Sequence, residues 1–309
     1  MIPVSDPLGE DDNIVAGFQI EGRTVRGRVT RIGSVLDEIL SAHDYPAPVA
    51  RLLGEAVLVT ILVGDALKFD GRLIVQAQGD GPVRFLVAEY VTGEGVRGFA
   101  SMDRAAVETA LAGDVAPDAM MQTLLGHGSF AMTIDHGPDM DQYQGVVALE
   151  GTSLSAVAET YFRQSEQTPT RLRCAIGEFW SGDEARQWRG GGALLQSVAA
   201  DEARGSAEDD WDHARALFET VEDAELLDPD LSSGALLFRL FNEDGVRLLE
   251  PVTVTKRCSC ERERLRRIIA SFPAEDRSEM ETDGAIVMTC EYCNRDWRFE
   301  PAEVEAGAS

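Results

Sequence analysis

The chain has 309 residues, 44% of them hydrophobic and 27% charged, with a formal net charge of −26 and a pI near 4.4. That much apolar sequence suits about two globular domains and excludes a largely disordered chain. So negative a field also disfavours nucleic acid or an anionic membrane as the main partner.

The start, MIPVSDPLGEDD, has no basic n-region and no apolar h-region, so it is not read as an export signal, and a reducing cytoplasm is the expected setting. NIVAGFQIEG and TVRGRVTRIG alternate and carry β-branched residues, as strands do. SVLDEILSAH follows as a helix with Ser34 as its expected cap. The apolar run 46–67 is interrupted by Arg51, Glu55 and Asp65 and is read as a buried helix rather than a membrane span. RLIVQAQGDGPVRFLVAEYV is a strand, a Gly-rich turn and a second strand, with GVRGFASMD as a third. SFAMTIDHG and YQGVVALEG are two more strands, and SLSAVAETYFRQSEQ is a helix started by Thr152 or Ser153. The expected fold class is α+β. Residues 1–188 form a mixed α/β domain with a central sheet and packed helices.

Composition then shifts. WRGGGALLQSV places three glycines in a row at 190–192, which implies a flexible joint or a close backbone approach. Residues 201–230 hold 12 Asp or Glu against two Arg. A helical stripe still runs through Trp211, Ala214, Leu217, Phe218, Val221 and Ala224, before Asp228–Pro229 stops it and LSSGALLFRLFN begins another helix. Residues 189–250 are therefore expected to be a helical, marginally stable linker.

The last segment, 251–309, is too short to bury much apolar surface and needs a staple. It holds Cys258-x-Cys260 and, 29 residues later, Cys290-x-x-Cys293. Structural zinc takes four thiolate or imidazole ligands, commonly from two close pairs. None of His43, His127, His136 and His213 lies here, so Cys258, Cys260, Cys290 and Cys293 are the complete metal-ligand set, for one Zn2+. Two disulfides are the alternative, disfavoured in a reducing compartment. Six Lys or Arg in 256–267 should stabilise thiolates, unless they form a solvated helix face paired with Glu261 and Glu263. Open thiolates are also what peroxide attacks.

Other features carry less. GEGVRG at 93–98 fits a dinucleotide loop but is followed by a strand, so a turn is the better reading. Cys174 reads as a buried hydrophobe, and His127 and His136 as loop residues flanking a strand. No nucleophile–base arrangement or P-loop is present, and the chain is not read as an enzyme. A zinc-ribbon nucleic-acid-binding protein is the alternative function, opposed by the net charge. A thiol oxidoreductase would need a thioredoxin-like setting around Cys290-x-x-Cys293.

Together with the cysteine spacing, YQGVVALEG (143–151), YFRQSEQTPTRL (161–172), GGGALLQ (190–196) and LLFRLFNEDGVRLLEP (236–251) resemble, in order and over most of the chain, a bacterial family. It is the redox-regulated heat-shock chaperones of about 33 kDa, ATP-independent holdases of the cytosol. The resemblance implies a reduced, inactive form with zinc on Cys258, Cys260, Cys290 and Cys293. It implies an oxidised form with Cys258–Cys260 and Cys290–Cys293 disulfides, zinc released, the 251–309 domain unfolded and the linker loosened. Unfolded client proteins are the implied partners; whether the oxidised form is a homodimer stays open. Loop closure also favours bridges within each pair, and the tighter Cys258–Cys260 ring is expected to close second.

Overall fold

The computed structural model describes residues 12–67, 71–137, 141–181, 185–198 and 207–305. The first eleven residues and the 199–206 part of the expected linker lie outside the described residues. The chain divides into two compact units, meeting in sequence at Lys256 and Arg257, with Ala42–Asp44 assigned to the second.

The strands of the first unit are β1 (Ile14–Ile20), β2 (Val25–Ile32), β3 (Arg72–Gly79), β4 (Val83–Val91), β5 (Gly95–Met102), β6 (Gly128–Asp135), β7 (Tyr143–Ala148), β8 (Thr170–Ser181), β9 (Ala185–Ser197), β10 (Val246–Leu248) and β11 (Val252–Thr253). Its helices are α1 (Ser34–Leu40), α2 (Ala47–Ala66), α3 (Arg104–Ala110), α4 (Met120–Leu125), α5 (Leu154–Tyr161), α6 (Ala207–Phe218), α7 (Asp223–Leu227) and α8 (Ser233–Phe241). One antiparallel sheet runs β10-β1-β2-β9-β8, with β11 also on β1; a second runs β5-β4-β3-β6-β7.

Helix α2 is the layer between the sheets. Fifteen of its twenty residues are buried, which makes it a core helix, apolar on all sides. Its Leu53, Val57 and Leu62 share one core with Val15, Ile32 and Leu194 of the first sheet and with Val75, Leu86 and Tyr90 of the second. It is long and apolar enough to cross a membrane, but 78% of its 18-residue apolar window is buried inside the fold.

Local signals mostly lie where the sequence puts them, with three differences. Ser153 caps α5, accepting from the Ala156 N–H. Ser34, however, is the first helical residue and not the cap. The Asn13 side-chain oxygen takes the Gly33 and Val35 N–H groups from 20 or more residues away. The 211–224 stripe is two helices rather than one. Glu222 and Glu225 form a reciprocal capping box that starts α7. The third difference is the glycine run, which is no joint. Gly190–Gly192 are paired on both sides within β9. A Cβ on Gly191 would stand 2.1 Å from the Leu226 carbonyl oxygen, and one on Gly190 would stand 2.8 Å from Leu36. The close-approach reading holds because helices press on the sheet from both faces there.

Those outer helices are the expected linker. Ala214, Phe218, Leu237 and Phe241 are buried against Phe18, Val25, Val29 and Leu195 of the first sheet. Leu226, Leu231 and Leu236 cover Ala175. The acidic exterior is tied down at one turn. Asp210 accepts from the Thr24 N–H (2.9 Å) and hydroxyl (3.0 Å) and from Arg23. Asp244 accepts from Arg23 Nε (2.8 Å) and pairs with His213 (2.8 Å). The Thr24 backbone N–H holds the Asp210 carboxyl below the usual range. Burial pushes Asp244 up, but Arg23 and His213 outweigh it and hold it down as well.

A depressed carboxylate contributes stability above its unfolded pKa and loses it as pH falls through the folded value. The docking of α6 is therefore expected to weaken once pH drops below about 4. Fluorescence of a variant keeping Trp211 as its sole tryptophan checks this. Emission unchanged between about pH 6 and about pH 3 would contradict it.

The second unit contains α9 (Arg262–Ala270), α10 (Ala274–Glu279), α11 (Pro301–Glu305) and the sheet β12-β13-β14 (Glu281–Thr282, Ala285–Thr289, Asp296–Phe299). Its core is five buried side chains, Leu265, Ile269, Ile286, Phe299 and Val304. So small a core does not hold some 50 residues folded without further help.

Candidate metal centre

The two cysteine pairs stand on different local structures. Cys258 and Cys260 lie in the extended segment leading into α9, where the Glu261 N–H donates to the Ser259 carbonyl. Cys290 and Cys293 occupy the turn that joins β13 to β14. The Cys290 N–H donates to Arg295 O at 3.0 Å, and the Asn294 N–H donates to Cys290 O at 2.8 Å. Asn294 takes φ 53°, the left-handed conformation that lets the turn close on itself. The pairing of β13 with β14 thus presents the second pair to the first.

All four Sγ atoms lie within 4.8 Å of one another. Cys258 and Cys260 are 3.0 Å apart, Cys258 and Cys290 3.7 Å, and Cys260 and Cys293 3.4 Å. Tetrahedral ligation with Zn–S bonds of about 2.3 Å places sulfurs roughly 3.8 Å apart. The donor set therefore fits one four-coordinate, thiophilic metal ion. No other group of three or more candidate ligands gathers among the described residues, so His127 and His136 stay loop residues at the two ends of β6.

Burial pushes the Cys258, Cys260 and Cys293 thiols above their usual value. Burial also raises Cys290, but the N–H groups of Cys293 and Tyr292 and the neighbouring thiols outweigh it, and Cys290 is the one thiol held below. The expected help from the basic run is not there, because the arginines are engaged elsewhere. Arg262 pairs with Glu303 (2.7 Å) and lies over the Phe299 ring, Arg266 pairs with Glu263 (2.6 Å), and Arg295 stacks on Trp297. Of the plainer reading, a solvated helix face paired with Glu261 and Glu263, the Glu263 pair is present, and Glu303 of α11 is the other partner.

Cys174 sits on β8, packed against the main core; burial first and then the Glu55 carboxylate push its thiol far above the usual range. The residue is half-buried rather than the fully buried hydrophobe the sequence suggests, and its raised thiol is a poor nucleophile. GEGVRG forms the turn into β5, with Gly93 and Gly95 at φ +75° and +124°. The Arg23–Asp210–Asp244–His213 cluster went unread in the sequence, since its members are scattered over more than 200 positions and share no spacing.

Two stacked layers around a buried helix, joined to a small unit whose four sulfurs converge on one point, define a two-part protein with a four-cysteine cluster able to hold a metal ion. A family model described as Hsp33 protein matches residues 13–300, and the chain belongs to the Hsp33 family. It is 52% identical over 302 residues to a 33 kDa chaperonin of Caulobacter vibrioides, covering 97% of this chain and 99% of that one. It is 36% identical to a 33 kDa chaperonin of Escherichia coli, covering 93% and 92%. The crystal structure of the 33 kDa chaperonin of Thermotoga maritima shares the fold, with a TM-score of 0.77 at 20% identity over 95% of this chain and 97% of that one.

Proposed function

We propose that this chain is a cytoplasmic, redox-regulated holdase chaperone, with the four-cysteine end of the chain (251–309) as a zinc-held switch and, within the expected 189–250 linker, the helices from 207 onward as its metastable part. Residues 189–197 belong to strand β9 of the first sheet. The observation that carries the proposal is the convergence of four sulfurs at the centre of a unit with five core side chains. Zinc, when bound, supplies a tetrahedral cross-link worth about 10–16 kcal/mol in sites of this class. Cys258, Cys260, Cys290 and Cys293 hold it as thiolates.

Oxidation proceeds pair by pair. Two thiolates give two electrons to a peroxide-class oxidant, one S–S bond forms, and the peroxide is reduced to water. Sulfurs joined in Cys258–Cys260 and Cys290–Cys293 no longer offer four thiolates, so the unit loses its staple. The chain just before Cys258 is pinned to the first unit. Thr255 O accepts from the Val96 N–H (2.8 Å), and the Thr255 hydroxyl donates to Glu94 O (2.8 Å). β10 and β11 add short ladders to the β1 edge. Unfolding beyond residue 256 removes the anchor from one end of this run. It also favours release of α6–α8 from the sheet they cover, which uncovers apolar surface for unfolding clients.

The test measures zinc content and suppression of citrate synthase aggregation on reduced and on peroxide-treated protein. Stoichiometric zinc with little suppression, then zinc loss with strong suppression, is expected. Equal suppression in both states would sink the redox part and leave a constitutive chaperone. Time-resolved disulfide mapping is expected to find Cys290–Cys293 first and Cys258–Cys260 second. The wider C-x-x-C ring closes with less strain, and Cys290 is the thiol held below its usual pKa. Early Cys258–Cys260, or dominant bridges between pairs, would refute that order.

A further inference from the structure

A cavity of about 180 Å3 opens at the end of the layer between the two sheets, beyond the C-terminus of α2. Its wall is largely apolar, from Val63 and Leu67 at the helix end, Leu73 on β3, Met132 and Ile134 on β6, and Phe162 after α5. Into this wall come Arg26 of β2 and its cross-strand neighbour Gln196 of β9. Arg26 Nε is buried and finds no acceptor among the described residues. The nearby carboxylates are committed elsewhere. Asp65 takes Arg28 Nε at 2.5 Å, and Glu166, which lines the same cavity, accepts from the Tyr161 hydroxyl at 3.4 Å. Gln196 is 5% exposed and uses one Nε2–H on Thr170, which leaves a second.

The Arg26 guanidinium is part-buried, with Nε its buried atom, and no carboxylate pairs with it among the described residues of a chain that has 54 acidic residues. Burial, and then the Arg28 charge, lower the Arg26 pKa. The α2 C-terminus offers partial negative charge but no ion.

We propose that this cavity binds a small apolar monocarboxylate, its carboxylate on Arg26 and Gln196 and its hydrocarbon body against the wall from Val63 to Ile134. A cavity of about 150 Å3 accepts benzene, so the size suits a benzoate- or hexanoate-like acid. The site is independent of the cysteine centre.

The experiment titrates reduced, metal-loaded full chain with sodium hexanoate and sodium benzoate, by calorimetry and by melting temperature. Hexanamide is the uncharged control. Saturable one-site binding that raises the melting temperature is expected, with hexanamide at least about tenfold weaker. Arg26→Met is expected to lose about tenfold or more in affinity while melting no lower than the parent without ligand, since the side chain gives up no hydrogen bond or ion pair among the described residues. Glu166→Gln is expected to tighten binding by removing a like charge from the rim. Should Arg26→Met fail to fold, Arg26→Lys, which keeps the charge but loses the fork, is expected to weaken binding too. No saturation in the millimolar range, equal binding of hexanamide, or parent-like affinity of the Arg26 variants would each overturn the proposal.

Discussion

Chelating zinc from the reduced protein, or replacing Cys290 by Ser, is expected to unfold residues 257–305 while the two-sheet unit stays folded. Five buried side chains stand against some 50 residues of conformational entropy in this unit. The metal contributes about 10–16 kcal/mol, several times any other single interaction available there. The arginine–carboxylate pairs of α9 do not replace it. They are surface pairs screened by solvent and contribute little. Hydrogen exchange before and after chelation is the measurement. Loss of protection across 257–305, with α2 and its flanking strands still protected, is the expected pattern. A second unit that keeps its protection without metal would show that its small core suffices and would remove the basis of the switch.

Replacing Phe241 by Ala is expected to release the linker without any oxidant. Phe241 is fully buried on the outer face of the first sheet, with its ring centroid 6.0 Å from that of Phe18. Truncating such a side chain costs about 3–5 kcal/mol, which shifts a docked–undocked equilibrium by more than about a hundredfold. The loss falls on this cluster alone, because the α2-centred core between the sheets is separate from it. Reduced, zinc-loaded Phe241→Ala should then suppress aggregation where the parent does not, with faster exchange over 207–250. Phe218→Ala, from the neighbouring helix of the same cluster, should behave alike. If both variants stay inactive with the linker protected, docking of α6–α8 is not what holds the chaperone off.

Much of this protein is determined locally and was therefore legible in the sequence. Alternation of apolar residues marked the strands, a long apolar run broken only by Arg51, Glu55 and Asp65 marked α2 as interior, and Thr152 or Ser153 marked the start of α5, because strand period, burial and N-capping depend on neighbours a few positions away. Cysteine spacing named the four sulfurs, since two thiols one or two residues apart can reach a common point. Contacts across long stretches of chain were decided only in three dimensions. Asn13 replaces Ser34 as a cap because β1 delivers its side chain to the start of α1. Gly190–Gly192 look like a hinge in isolation and form a strand because α1 and α7 crowd the sheet at that point. The basic run near Cys258 suggested activated thiols, yet Glu263 and Glu303 and the Phe299 and Trp297 rings take up arginines of the unit and leave three thiols raised by burial. Charge composition is set by the sequence, but which charge meets which is a matter of distance, and folding alone brings Arg23 to Asp210 and Asp244 while leaving Arg26 without a counter-ion among the described residues.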